Sequence, residues 1–183
     1  QEHLYAYTRK LLDKTTNRYF FVQDPIELTV KQIPKTFTSR LNLHPDHPKR
    51  GGREYTIKPD GDGLATFWVS RKDVDASKIG KTIRLMELFN VKIEKANIYA
   101  ADAIFTSESY EEARNVKAQL IHWIPTGKDM PCKVVMSDAT VAEGIAEGGC
   151  KQLKPDTIIQ FERFGFVRID TINNELKAYY AHR

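Results

Sequence analysis

The sequence predicts a mainly β fold made of two β units, and three observations carry that reading. Roughly a dozen short runs rich in β-branched and aromatic residues are separated by Gly, Pro, Asn and Asp turn signals. Only three short stretches show helical spacing. That many strands in 183 residues exceeds what one small barrel uses, so two antiparallel β-barrels or sandwiches, with a short N-terminal helix, are expected.

Taken in order, Glu2 to Leu12 places Leu4, Tyr7, Leu11 and Leu12 three to four residues apart without Gly or Pro, the spacing of a short amphipathic helix. Asp13-Lys14-Thr15-Thr16-Asn17 ends it. Tyr19 to Val22 is strand-like, and in Ile26 to Val30 the apolar residues alternate with Glu27 and Thr29, the pattern of a half-buried strand. The loop Leu43-His44-Pro45-Asp46-His47-Pro48-Lys49-Arg50-Gly51-Gly52 is stiffened by prolines and given left-handed freedom by glycine. His44 and His47 are spaced to clip a metal, but zinc needs about four N or S ligands, and Cys132 and Cys150 lie far away without a CxxC knuckle. No metal site is expected.

Ala65 to Val69 is a strand after the Pro59–Gly63 turn, and Ser70 to Asp73 is one capped helical turn. Gly80-Lys81-Thr82 matches the end of a phosphate-binding loop, yet its first glycine would fall at Asp75 and strand-like Ile83-Arg84-Leu85 follows, so nucleotide binding is rejected there. Val91 to Tyr99 is a strand, Ser109 caps a short helix through Arg114, and Leu120 to Ile124 is a buried strand stopped by Pro125. Cys132 to Met136 and Thr140 to Gly144 form a hairpin around Ser137-Asp138-Ala139. Asp156 to Gln160, Phe164 to Asp170 and Glu175 to Tyr180 complete the strands.

Composition narrows the function classes. No apolar run approaches the ~18 residues of a membrane span, and residues 1–5 do not read as a signal peptide. Two cysteines define no disulfide framework, and a reducing cytoplasm is expected. The net charge of +4 and pI near 9.0 favour a polyanionic partner. No Gly-x-Ser-x-Gly elbow and no nucleophile, base and orienter stand out, so no catalytic residue is assigned.

Two stretches from opposite ends share one chemistry: Arg18-Tyr19-Phe20-Phe21-Val22-Gln23-Asp24-Pro25 and Gln160-Phe161-Glu162-Arg163-Phe164-Gly165-Phe166-Val167-Arg168-Ile169-Asp170. Aromatic strand residues interleaved with arginine and an amide can bury one sheet face while the other offers stacking surfaces and hydrogen-bond forks to splayed, single-stranded bases. RNA is therefore the first partner to consider. The competing reading, in which the phenylalanines are core and Arg163 and Arg168 are solvated, stays open at this point.

These two motifs, with Leu43-His-Pro-Asp-His-Pro48 and Ile121-His-Trp-Ile-Pro125 between them, resemble in order the C-terminal anticodon-binding region of archaeal-type glutamyl-tRNA synthetase, a class I family whose motif order glutaminyl-tRNA synthetase shares. The resemblance implies two antiparallel β-barrels, the distal one inserted into the proximal one. Residues 1–15 would end a helical connecting segment, 16–80 and 150–183 would form the proximal barrel, and 81–149 the distal one. The family's ATP-site signatures, His-Ile-Gly-His and Lys-Met-Ser-Lys-Ser, do not occur in these residues, so the chain reads as part of a longer ligase and as non-catalytic by itself. ATP and Mg belong, on this reading, to the parent enzyme.

Carried over residue by residue, Arg18, Gln160 and Arg163 fall where the family reads the middle anticodon base, and Arg84 falls near the first base, with Met86 where glutaminyl-tRNA synthetase carries a second arginine. Lys78, Lys81 and Arg168 are candidates for tRNA backbone or third-base contacts. The implied partner is tRNA(Glu), with tRNA(Gln) left open, and neither membrane nor metal is expected. The alternative is a stand-alone β-barrel RNA-binding or scaffolding module.

Overall fold

Alternation decides most of the elements. In the strand Pro25–Lys31, Ile26, Leu28 and Val30 are buried while Pro25, Glu27, Thr29 and Lys31 are partly solvated, the period-two pattern of a strand with one face inward. The structure, a computed structural model, describes residues 2–182. It is mainly β, with two curled sheets and one short N-terminal helix, as the sequence predicts.

The first seven-stranded sheet runs in the order Arg18–Tyr19, Ile158–Phe161, Gly165–Ile172, Leu176–His182, Asp129–Val135, Val141–Glu147, Phe21–Gln23. The second runs Gln119–Ile121, Thr82–Leu85, Asn90–Ala96, Ala100–Ser107, Pro25–Lys31, Ala65–Ser70, Ile124–Pro125. Phe37–Asn42 and Gly52–Ile57 form a separate two-stranded ribbon. Antiparallel hairpins build both large sheets, and parallel pairs such as Arg18–Tyr19 with Ile158–Phe161 tie distant segments together.

The chain divides into two compact units, residues 1–21, 42–53 and 129–183 in one and residues 22–41 and 54–128 in the other. The first therefore takes both chain ends. These units divide the chain elsewhere than at the expected 81–149 insertion. Ala100–Ser107 pairs with Pro25–Lys31, placing residues from both sides of Lys81 in one sheet, while the Asp129–Val135 strand joins Leu176–His182 in the other.

In the first unit the core includes Phe21, Met130, Val134, Ile159, Phe161 and Val167, and the Phe21 ring stacks on Phe161 at 5.0 Å with its edge to Phe164. Cys132 and Cys150 are free, buried thiols in that core, and burial pushes both pKa values up, so they stay protonated. In the second unit Phe67 meets Trp123 and Phe89 edge to face at 5.5 and 6.1 Å.

Several local expectations are corrected. The helix extends over Glu2–Thr15, but Tyr7 and Leu11 are exposed, and the Leu4 side chain lies outside the described residues. The Leu120–Ile124 strand is two pieces, Gln119–Ile121 and Ile124–Pro125, because the Trp123 indole turns inward to donate to the Met86 carbonyl at 2.9 Å, and Pro125 joins the sheet's edge rather than stopping it. Ser70 does not cap the following turn; its hydroxyl donates to the Gln23 carbonyl. The strands Phe37–Asn42, Gly52–Ile57 and Ala100–Ser107 were not anticipated. No helix among the described residues is long and apolar enough to cross a membrane.

The histidine loop closes the helix. His44 Nδ1 accepts the Asp46 N–H at 3.1 Å, which leaves the ring proton on Nε2 to be donated to the Asp13 carbonyl at 2.6 Å. Arg50 donates to the Lys14 and Thr15 carbonyls at 2.8 and 3.2 Å, so the helix's last carbonyls are satisfied from this loop. His44→Ala should therefore lower stability by about 1–3 kcal/mol in denaturant titrations, the cost of leaving such groups unpaired. Elemental analysis should find no stoichiometric zinc; zinc that is present and lost in His44→Ala or His47→Ala would contradict this assignment.

Candidate nucleic-acid interface

The interface residues of the first unit are set by strand register. Arg18 pairs with Gln160 and Tyr19 with Phe161 in parallel register, held by bonds from Gln160 N–H to Asn17 O and from Glu162 N–H to Tyr19 O at 2.9 and 3.0 Å. Because neighbours in register share a face, burial of Tyr19 and Phe161 in the core puts Arg18 and Gln160 together on the opposite one. The two chain ends thus deliver one guanidinium and one amide side by side.

Their hydrogen-bonding capacity is only partly used. Arg18 Nη2 donates to Asp13 Oδ1 at 3.1 Å, but Arg18 Nε and Gln160 Oε1 are buried without a hydrogen-bond partner. A buried donor or acceptor left unpaired costs about 1–3 kcal/mol, so such atoms concentrate where a ligand completes them. Arg163 stands three residues beyond Gln160 at the tip of the hairpin joining Ile158–Phe161 to Gly165–Ile172, exposed and left-handed at φ 62°. Arg168 lies further along that hairpin, opposite Ile158, with Nη1 on Asp156 Oδ1 at 2.6 Å and its guanidinium over Tyr179.

The aromatics of this stretch do not provide stacking surfaces. Phe161 and Phe166 are fully buried and Phe164 is packed against the same core, so of the two readings left open for this stretch the phenylalanines follow the one that makes them core.

Behind Arg18 lies a buried ion pair that the sequence did not reveal. Glu147, fully buried, accepts the Phe20 N–H at 2.6 Å and receives Arg53 Nε at 2.9 Å and Nη2 at 3.1 Å. Arg53 Nη1 reaches the Asn42 carbonyl at 2.8 Å, and its guanidinium covers the rings of Tyr19 and Phe20. Phe20 separates the strands Arg18–Tyr19 and Phe21–Gln23, so this carboxylate fixes the backbone from which Arg18 projects.

The second unit holds the remaining candidates. Arg84 is buried, with Nη1 on Asn90 Oδ1 at 2.9 Å and on the Glu108 carbonyl at 3.2 Å, and its guanidinium lies 5.2 Å from the Tyr110 ring centre. Lys78 and exposed Lys81 flank the turn at Gly80, whose φ of 81° requires glycine. That turn runs directly into the strand Thr82–Leu85, so no helix N-terminus cradles a phosphate, and no group of three or more His, Cys, Asp or Glu among the described residues could hold a metal. The Gly80 turn therefore offers no cradle for a nucleotide phosphate.

Residues 16–110 match a family model described as the anti-codon binding domain of class I tRNA synthetases (E and Q), and residues 120–170 match a second model of the same description. The glutamate–tRNA ligase of Pyrococcus abyssi is 42% identical over 186 residues, covering 100% of this chain and 31% of the relative. That of Methanocaldococcus jannaschii is 40% identical over 183 residues, with 100% and 31% covered, and that of Methanopyrus kandleri 35% over 182 residues, with 99% and 32% covered. The chain spans about a third of the length of these relatives.

Proposed function

The chain belongs to the anticodon-binding domain family of class I tRNA synthetases for glutamate and glutamine, and on that footing we propose that it reads the anticodon of tRNA(Glu) for a cytoplasmic glutamate–tRNA ligase. The ligase would join glutamate to tRNA(Glu) with ATP and Mg, chemistry this reading assigns to the parent enzyme. In this reading Arg18, Gln160 and Arg163 recognise the middle base, Arg84 serves the first, and Lys78, Lys81 and Arg168 steady the backbone or the third base. Whether tRNA(Gln) also binds turns on that third base.

The observation that carries the proposal is the idle pair Arg18 Nε and Gln160 Oε1, one donor and one acceptor in adjacent register. Uracil presents the complement on its Watson–Crick edge, an N3–H donor beside the O4 acceptor. Cytosine presents the reverse, an N3 acceptor beside an amino donor, and would leave both protein atoms unpaired. Both atoms are sheltered from solvent, so engagement involves rotation of the outer side-chain torsions.

Fluorescence anisotropy of labelled tRNA(Glu) against a tRNA with an unrelated anticodon tests the reading, with tighter binding expected for tRNA(Glu). Affinity should fall linearly on logarithmic axes as salt rises, with a slope of about −0.7 to −0.9 per phosphate neutralised. Lys81→Ala should reduce that slope by about one without changing the preference between tRNAs. A salt-independent affinity would contradict a phosphate-held complex.

A further inference from the structure

Arg84 and Tyr110 form a built platform whose outer surface is exposed. Tyr110 opens the helix Tyr110–Asn115, directly after Ser109, whose hydroxyl accepts the Glu112 N–H at 3.2 Å. One side of its ring is backed by the Arg84 guanidinium at 5.2 Å, yet the residue is 56% exposed. Arg84 cannot swing away freely: Asn90 Oδ1 and the Glu108 carbonyl hold Nη1, and Asn90 is itself fixed by donating to Ser107 Oγ at 2.9 Å and the Ser109 carbonyl at 2.7 Å. A polar network of this kind, buried beneath a single aromatic ring, immobilises that ring in advance of any contact.

The charge behind the ring selects what suits its open surface. A guanidinium on one face draws the ring's π density toward itself, which favours a second aromatic system stacked on the other. A neighbouring positive charge also suits a nucleotide, whose base and phosphate arrive together. An apolar protein segment would gain nothing from that charge.

We propose that Tyr110 is a base-stacking residue that takes the first anticodon nucleotide on its open face, with the buried Arg84 as the positioning residue that locks the ring. This rests on the anticodon-reading function above and deepens it. It moves the base contact at this position from the arginine, whose guanidinium is covered, to the tyrosine that covers it.

The test is a double-mutant comparison on the full chain, with Tyr110→Ala, Tyr110→Leu and Tyr110→Phe each titrated against tRNA(Glu) and against the same tRNA made abasic at the first anticodon nucleotide. On intact tRNA, Tyr110→Ala should bind roughly tenfold more weakly, the scale of one lost base stack, while Tyr110→Phe stays within about twofold. Tyr110→Leu keeps an apolar cover over Arg84 but has no π face; it should lose most of the affinity and remains informative if the alanine variant does not fold. On the abasic tRNA all variants should match wild type. Equal losses on intact and abasic tRNA, or no loss on either, would overturn the stacking role, as would a competing protein partner that alone is sensitive to Tyr110. If wild-type chain shows no preference for tRNA(Glu), the anticodon reading itself fails, a result distinct from these and equally fatal to the proposal.

Discussion

Replacing Glu147 with alanine should destabilise the first unit by about 3–5 kcal/mol, the range for removing one partner of a buried ion pair. Glu147 is fully buried and Arg53 is 8% exposed, so the variant would strand a guanidinium without a counter-charge and leave the Phe20 N–H without its acceptor. Glu147→Gln keeps an oxygen for Phe20 but no charge for Arg53, and should fall between wild type and alanine. Replacing both residues with apolar side chains of similar volume should cost much less than the single change, since no buried charge is then uncompensated. Denaturant titrations with an unchanged m-value give the comparison. An alanine variant within about 1 kcal/mol of wild type would mean that water or a rearranged backbone already compensates the arginine.

The expected consequence reaches the interface. Because Glu147 grips Phe20, two residues from Arg18, a folded Glu147→Gln protein should also bind tRNA less tightly. Its loss should be larger on tRNA(Glu) than on an unrelated tRNA, since strand placement serves base reading rather than general phosphate attraction.

What the sequence disclosed and what it concealed divide along local physics. Alternation over Ile26 to Val30 exposed the strand Pro25–Lys31, and β-branched and aromatic runs exposed strands over Asp156–Gln160 and Phe164–Asp170, which lie at Ile158–Phe161 and Gly165–Ile172. The Phe37–Asn42 strand was hidden because Ser39 occupies an inward position between Phe37 and Leu41, its hydroxyl satisfied by the Glu87 carbonyl at 2.8 Å. Its partner Gly52–Ile57 was hidden because a charged residue, Arg53, takes a buried position there along with Ile57, and Ala100–Ser107 because alanine has weak strand preference.

The candidate site followed the same rule. Arg18 and Gln160 were joined by the family resemblance rather than by any local pattern, and the strand register sets them side by side. Arg53 and Glu147 sit 94 positions apart in unrelated segments, with no local pattern to join them. Tyr110 read as an ordinary first-turn helix residue, since a ring braced on a guanidinium is a tertiary fact.

The middle-base contact carries the second large effect. Gln160→Ala removes the acceptor proposed for uracil N3–H, and Arg163→Ala removes a cation from the adjacent hairpin tip; each should cost about 1–3 kcal/mol against tRNA(Glu), roughly five- to 150-fold in Kd. Loss of a phosphate contact would weaken every tRNA alike, whereas loss of a base reader narrows the gap between the right base and the wrong one. The decisive measurement is therefore the Kd of wild type and Gln160→Ala for two tRNA(Glu) molecules that differ only in a middle U or a middle C. Wild type should favour U strongly, and the variant's loss should fall mainly on the U tRNA, shrinking the preference. Equal losses on both tRNAs, or no loss on either, would contradict it and leave Gln160 as a strand residue at the edge of a barrel core.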